Sequence, residues 1–319
     1  MLKPNLVLIV AALVCGQAVA ADYPSRPVRW LVGFAPGASN DIVARVIAAR
    51  LTESLGQQVI VDNRTGAAGM IAGELVAKGT PDGYTVLLST GGPSTIAPLL
   101  TKRAPYRVDE FSQIVTIGYA PFVVVAHPSF PPRNPTELLA YARTNPGKIN
   151  WGSSGTGGSP HYALLILQAA TGIEVTHVPF KGSAPSLVAI AAGQIQAMHS
   201  TVVSAEALLN SKRVKIIGVA ATKRLTAIPD VPTFAEMGFP NAESQVWWGM
   251  AAPPRTPKAI VGRLNAEVNK ILQGADSVRR LRDLGVEILG GTPEQATQFV
   301  AREAANVAKF IKEGRLTPD

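Results

Sequence analysis

Apolar and polar positions along this chain fall into two kinds of block: short uninterrupted apolar runs, and longer stretches with a helical period. Residues 28–34 (VRWLVGF) read as a buried strand, and residues 42–55 place Ile42, Val46, Ile47 and Leu51 on one helical face. Gly56 ends that helix, residues 58–61 return to strand, residues 70–78 form a helix bounded by Gly69 and Gly79, and a strand at 84–88 follows the turn Pro81-Asp82-Gly83. The same order recurs from residue 148, with strand 149–151, helix 162–170, strand 174–178, helix 184–192 and strand 195–199. A further strand fits residues 214–220, and prolines punctuate residues 228–240. Strand, helix, strand, helix, strand predicts a parallel sheet with helices on its faces. Its repetition predicts an α/β protein of two similar lobes.

Two apolar segments lie outside the copies. Residues 121–126 (PFVVVA) and 247–252 (WWGMAA) are the candidate crossings between lobes, and helices at 258–272, 275–284 and 293–313 return to the first lobe. Lobe 1 then comprises residues 21–124 and 248–319, lobe 2 residues 125–247, and the two hinge as a clamshell about two crossover strands. Trp247 and Trp248 are expected to pack at the hinge, with a place for one of them in the cleft lining as the alternative. Open α/β sheets bind ligands outside the carboxyl ends of their strands, so chemistry is expected in the cleft.

Residues 1–20 follow different rules. Lys3 gives a basic start, residues 6–14 are apolar and uncharged, and Ala18-Val19-Ala20 supplies small residues for a signal peptidase. This predicts export to the periplasm with cleavage near Ala20. The apolar core is too short for a bilayer, which needs roughly 20 residues. Cys15 as a lipidation site is disfavoured by the bulky Val14 before it. Cleavage removes the one cysteine, which excludes disulfides, zinc–thiolate sites and cysteine nucleophiles from the mature chain. The formal net charge of +8 falls by one with Lys3. The basic residues are scattered singly and in pairs such as Lys102-Arg103, Lys212-Arg213 and Arg279-Arg280, without runs or aromatic interleaving. No nucleic acid is expected as a partner, only a weak bias towards anions.

Two loops could carry chemistry. In GFAPGASND, Ser39, Asn40 or Asp41 can cap a helix beginning at Ile42, and the free N–H groups of such an end make a carboxylate or phosphate site. Any strand-to-helix turn also needs a glycine and a cap. The second loop, Gly152 to Ser159, has eight consecutive small residues, more than a turn requires, and lets backbone N–H groups and hydroxyls approach a ligand. Enzyme motifs fail here: no lysine follows Gly158, Pro160 stands where a dinucleotide fingerprint needs glycine, and neither Ser153 nor Ser154 is flanked by glycines two positions away on both sides. His127, His161, His177 and His199 show no metal-binding spacing. His161 could take a proton from Ser154 or Ser159, which leaves a serine-hydrolase alternative, or serve as a polar cap. Asp41 is the one carboxylate in either loop, so no acid–base pair for glycoside cleavage is visible. Lys181, at a strand's carboxyl end, either pairs with an anionic ligand or faces solvent.

Five segments, YPSRPVRWLVGFAPGASNDIVAR, VDNRTGAAGMIAGELVAKGTPDGYTVLL, SSGTGGSPH, HVPFKGSAPSL and WWGMAAPPRTPKAIVGRLNAEVNKIL, resemble in order the extracytoplasmic solute-binding proteins of the tripartite tricarboxylate transporter family, the Bug group of Bordetella and relatives. The resemblance spans essentially the whole mature length. It implies a two-lobed periplasmic binding protein of the type II, Venus-flytrap kind: a monomer without cofactor or metal that hands a small carboxylate to membrane permease subunits, or to a sensor, without chemical change. It also implies a site made of Phe34, Ala35, Pro36, Gly37, Ala38, Ser39 and Asp41 in the first loop, Ser89 and Thr90 after the third strand, and Ser153, Ser154, Gly155 and Thr156 in the second lobe. Lys181 and Ser200 complete the candidate set. Two positions depart from the family pattern: Ala38 stands where a second glycine is usual, and Ser200 where an aspartate is usual. An alanine disfavours positive φ, and the missing carboxylate weakens selection for an ammonium, so the expected ligand is a dicarboxylic or aromatic acid.

Overall fold

The computed structural model describes residues 23–314 and Leu316. The expected export signal, its cleavage point and Cys15 lie outside the described residues. Lobe 1 opens with β1 (Val28–Val32), α1 (Ser39–Leu55), β2 (Val59–Asn63), α2 (Met70–Ala77) and β3 (Thr85–Ser89). A π-helical segment at Gly92–Ile96, the short helix α3 (Ala97–Leu100) and the long strand β4 (Ser112–Pro121) follow. Lobe 2 contains β5 (Val123–Ala126), α4 (Pro135–Thr144), β6 (Asn150–Ser153), α5 (Ser159–Thr171), β7 (Thr176–Pro179), α6 (Ser183–Ala191), β8 (Ala197–Ser200), α7 (Val202–Asn210) and β9 (Lys215–Val219). The chain returns with β10 (Gln245–Ala252), α8 (Lys258–Gln273), α9 (Ala275–Asp283), β11 (Glu287–Ile288) and α10 (Pro293–Lys312).

The first sheet runs β11-β4-β10-β3-β1-β2 and the second β7-β6-β8-β5-β9. Within each copy of the repeated unit the pairing is parallel, as expected: β1 lies between β2 and β3, and β6 between β7 and β8. The connecting strands run the other way. β10 is antiparallel to both β3 and β4, and β5 to both β8 and β9, so both sheets are mixed rather than purely parallel. A strand that enters a sheet directly from the other lobe has no crossover helix to turn it parallel.

The chain changes sheet at Phe122 and again at Ser244. There Phe122 N–H donates to Ser244 O (3.0 Å), Ser244 N–H to Ala220 O (3.0 Å) and Ala220 N–H to Phe122 O (2.8 Å), a three-segment backbone knot between the sheets. The second crossing therefore precedes the expected segment 247–252, because all of β10 belongs to the first sheet. Trp247 and Trp248 pack in lobe 1, on opposite faces as strand alternation demands: Trp247 meets Phe299 of α10 edge to face at 5.3 Å. Trp248, fully buried, donates its indole N–H to Asn40 Oδ1 at 2.7 Å.

Helix α1 shows how local sequence sets the site. It starts at Ser39, three residues before the expected Ile42, and Gly56 ends it in the left-handed conformation (φ 67°). Its buried stripe is Val43, Ile47, Leu51 and Leu55, at i, i+4 spacing, with Ile42 and Val46 only partly covered. Burying each large member of that stripe contributes about 1.5–3 kcal/mol, which pins the start of the helix at the cleft. Among the described residues no helix is long and apolar enough to cross a membrane.

Candidate functional site

The loop after β1 is held from within. Gly37 takes φ +88°, and Ala38 follows in extended conformation (φ −103°, ψ 173°), so an alanine there meets no backbone strain. The expected cap by Ser39, Asn40 or Asp41 is absent: Ala38 is the N-cap residue and has no polar side chain to cap the helix from within its own loop. Asp41, 4% exposed, instead accepts from Gly37 N–H (3.1 Å), Arg45 Nε (2.9 Å) and Asn63 Nδ2 (3.0 Å). Burial alone would raise its pKa, but the hydrogen bonds from Arg45, Gly37 and Asn63 outweigh it and hold the carboxyl below its usual range. Asn63 also donates to Phe34 O at 2.9 Å. Asp41 is thus a brace, turned into its own loop.

The small-residue loop after β6 is braced differently. Ser153 Oγ accepts from Gly155 N–H (3.0 Å) and bonds His177 Nε2 (2.6 Å). The His177 ring stacks on His161 at 4.0 Å. Burial, and then the neighbouring His177, pushes His161 down to about 4, and burial lowers His177 as well, so both rings are neutral at pH 7. His161 Nδ1 accepts from Gly157 N–H (3.3 Å) rather than from Ser154 or Ser159. The His161 pairing that the serine-hydrolase alternative needed is therefore absent, and the histidine pair is scaffolding for the loop. Ser154, 5% exposed, has an Oγ with no partner.

The ends of β3 and β8 complete the surroundings. Ser89 Oγ and Ser94 Oγ bond each other at 2.9 Å, and the buried Thr90 hydroxyl has no partner. Ser200, 1% exposed, also carries an unpartnered Oγ. Lys181 is exposed at the surface. Beside it Gly182 (φ +135°) brings lobe 2 against lobe 1, where a Cβ would stand 3.2 Å from Ala35 N.

Between the lobes lies a small polar cavity. The structure brings Phe34, Ser39, Ser154 and Ser200 to its wall, together with Asn40, Ser159 and Pro160 of the two loops and with Phe122, Ser183, Thr201, Ser204 and Val246, for which the sequence carries no local signal. Ala35, Pro36, Gly37, Ala38, Asp41, Ser89, Thr90, Ser153, Gly155, Thr156 and Lys181 do not line it. Four helix starts converge here, those of α1, α5, α6 and α7, and the first three have no side-chain cap. The fourth is capped by Thr201, whose Oγ1 accepts from Ser204 N–H. Uncapped N–H groups and aligned helix dipoles make this wall positive without a cation, and no charged side chain lines it. Ser39 N–H donates across the cleft to Ser204 Oγ at 2.8 Å. The free volume is about 10 Å³, the scale of one water molecule. The lobes are therefore closed on each other, and a larger solute enters only when they part.

Residues 43–316 match the family model described as tripartite tricarboxylate transporter family receptor. The chain belongs to that receptor family. A protein of Pseudomonas sp. encoded in the tcbD-tcbE intergenic region is 40% identical over 92% of this chain and 88% of its own length. An R. palustris protein solved with adipate superposes with a TM-score of 0.90 at 33% identity, covering 93% of this chain and all of the other. The periplasmic binding protein BugD gives 0.88 at 33% identity over 92% of this chain and 99% of its own. The fold is the two-lobed type II binding-protein fold, and this receptor is a solute-binding protein of Bug type rather than an enzyme.

Proposed function

We propose that the cleft captures a small carboxylate, a dicarboxylic or aromatic acid, and presents it in the closed form to the membrane permease subunits of a tripartite tricarboxylate transporter. The protein acts as a periplasmic monomer once its leader is cut near Ala20. The observation that carries this reading is the meeting of three uncapped helix starts with the two unpartnered hydroxyls of Ser154 and Ser200 in a cavity free of charged side chains. Each helix end contributes about 0.3–1 kcal/mol to holding an anion, and more where partly buried. A hydroxyl donating to a carboxylate contributes about 1.5–3 kcal/mol. The adipate held by the R. palustris relative supports the ligand class. The lack of an aspartate at Ser200 supports a ligand without an ammonium group.

A thermal-shift screen of small acids tests the reading. An acid present at 100 times its Kd adds about 2.7 kcal/mol to stability, which raises the melting temperature by several degrees. If no carboxylate in a panel of short-chain, dicarboxylic and aromatic acids shifts the transition, the capture model is wrong.

A further inference from the structure

On the hinge side of the polar cavity lies a second one of about 390 Å³, within the size range of small-molecule sites. Ser159, the first residue of α5, belongs to both. From there Ser159, Tyr162, Ala163 and Ile166 wall the second chamber, at the i, i+3, i+4, i+7 spacing of one helical face. The stripe is about 10 Å long. The start of α5 thus points at the small cavity while its flank lines the large one. Gly91 of the second cavity packs on that shared residue: a Cβ there would lie 2.6 Å from Ser159 Oγ, so any larger side chain would displace Ser159 from its place between the two.

The chambers differ in chemistry. Across from the α5 stripe stand Trp247 of β10 and Phe310 of α10, and Tyr162 meets Phe310 edge to face at 5.2 Å. The charged groups of the large chamber are Glu243, Glu303 and Lys309, and the Lys309 ammonium faces Glu313 at 3.9 Å. Burial raises the Glu303 carboxyl, with Arg302 opposing. Ser244, 6% exposed on the hinge wall, keeps an unpartnered hydroxyl. One chamber is built for an anion. The other offers aromatic surface and repels a second carboxylate.

We infer that the cognate solute is an arylalkyl monocarboxylate, its carboxylate at the helix starts around Ser154 and Ser200 and its ring along α5 between Tyr162 and Trp247. This rests on the carboxylate-capture reading and narrows it. Calorimetric titration of the purified protein with propionate, 3-phenylpropionate and adipate tests it. The aryl acid should bind about tenfold or more tighter than propionate, through ring contacts, and tighter than adipate. Gly91→Ala should erase the advantage over propionate, and Glu303→Lys, at a half-buried position of the chamber wall, should improve adipate severalfold relative to the aryl acid. If propionate and 3-phenylpropionate bind alike, or adipate binds tightest to the wild type, the aryl assignment is overturned while carboxylate capture stands. If none of the three binds, both fall.

Discussion

The two loops that face each other across the cleft arise from the same strand-to-helix design and use it in opposite ways. After β1 the polar groups are engaged: Asp41 is tied to Gly37, Arg45 and Asn63, and Ser39 N–H reaches Ser204. After β6 one hydroxyl, Ser153, is tied into the loop through His177, while its neighbour Ser154 is buried and unpartnered, as is Ser200 on the adjacent strand. The loop after β1 therefore supplies a fixed frame, and the loop after β6 keeps a donor in reserve. A buried hydroxyl without a partner costs about 1–3 kcal/mol. Carrying two of them at the meeting point of four helix ends makes sense where a ligand satisfies them.

The largest effect should come from removing those reserved donors. The double variant Ser154→Val, Ser200→Val should lose about a hundredfold or more in carboxylate affinity without a lower melting temperature, since unsatisfied polar atoms leave the core. A fall in stability with affinity retained would reverse the assigned roles of the two loops. Next comes acid sensitivity on the lobe 2 side. His161 is neutral in the fold with a pKa of about 4 against 6.5 when free, so its stabilising contribution is intact above pH 6.5 and is lost as pH falls through 4. Urea titrations between pH 7 and pH 4 should show roughly 3 kcal/mol of loss from this group, and His161→Phe should flatten that part of the slope. A smaller effect belongs to the frame: Asp41→Asn should cost about 1–2 kcal/mol of stability, limited because Arg45 is half exposed, with affinity falling far less than in the serine variant. Lys181→Ala should change affinity by less than about twofold, as expected of an exposed side chain outside the cavity wall.

Much of this was legible in the chain. The order of strands and helices in both copies follows from apolar period, and Gly56 stops α1 as its φ of 67° requires. Strand direction at the crossings was not legible, because an uninterrupted run such as residues 121–126 looks the same in parallel and antiparallel pairing. Helix starts were misplaced because Ser39, Asn40 and Asp41 are all good caps by type, yet the cap position fell on Ala38 and Asp41 turned inward to Arg45. Ser39 and Ser154 could be named from their place in the loops after strands, whereas Phe34 and Ser200 are marked only by the family resemblance. Ser183 and Thr201 follow strands β7 and β8 by the same logic, but without a glycine-rich run around them only the three-dimensional convergence of α6 and α7 marks them out. Phe122 and Val246 reach the wall through the hinge, which no local pattern reports.

The central claim is that the closed cleft recognises negative charge through helix ends and hydroxyls. Calorimetric titration of the wild-type protein with matched acid and amide pairs, adipate against adipamide and 3-phenylpropionate against 3-phenylpropionamide, tests it most directly. Saturable binding of at least one acid is expected, with its neutral amide at least about a hundredfold weaker. Equal binding of acid and amide, or binding of neither, would contradict it.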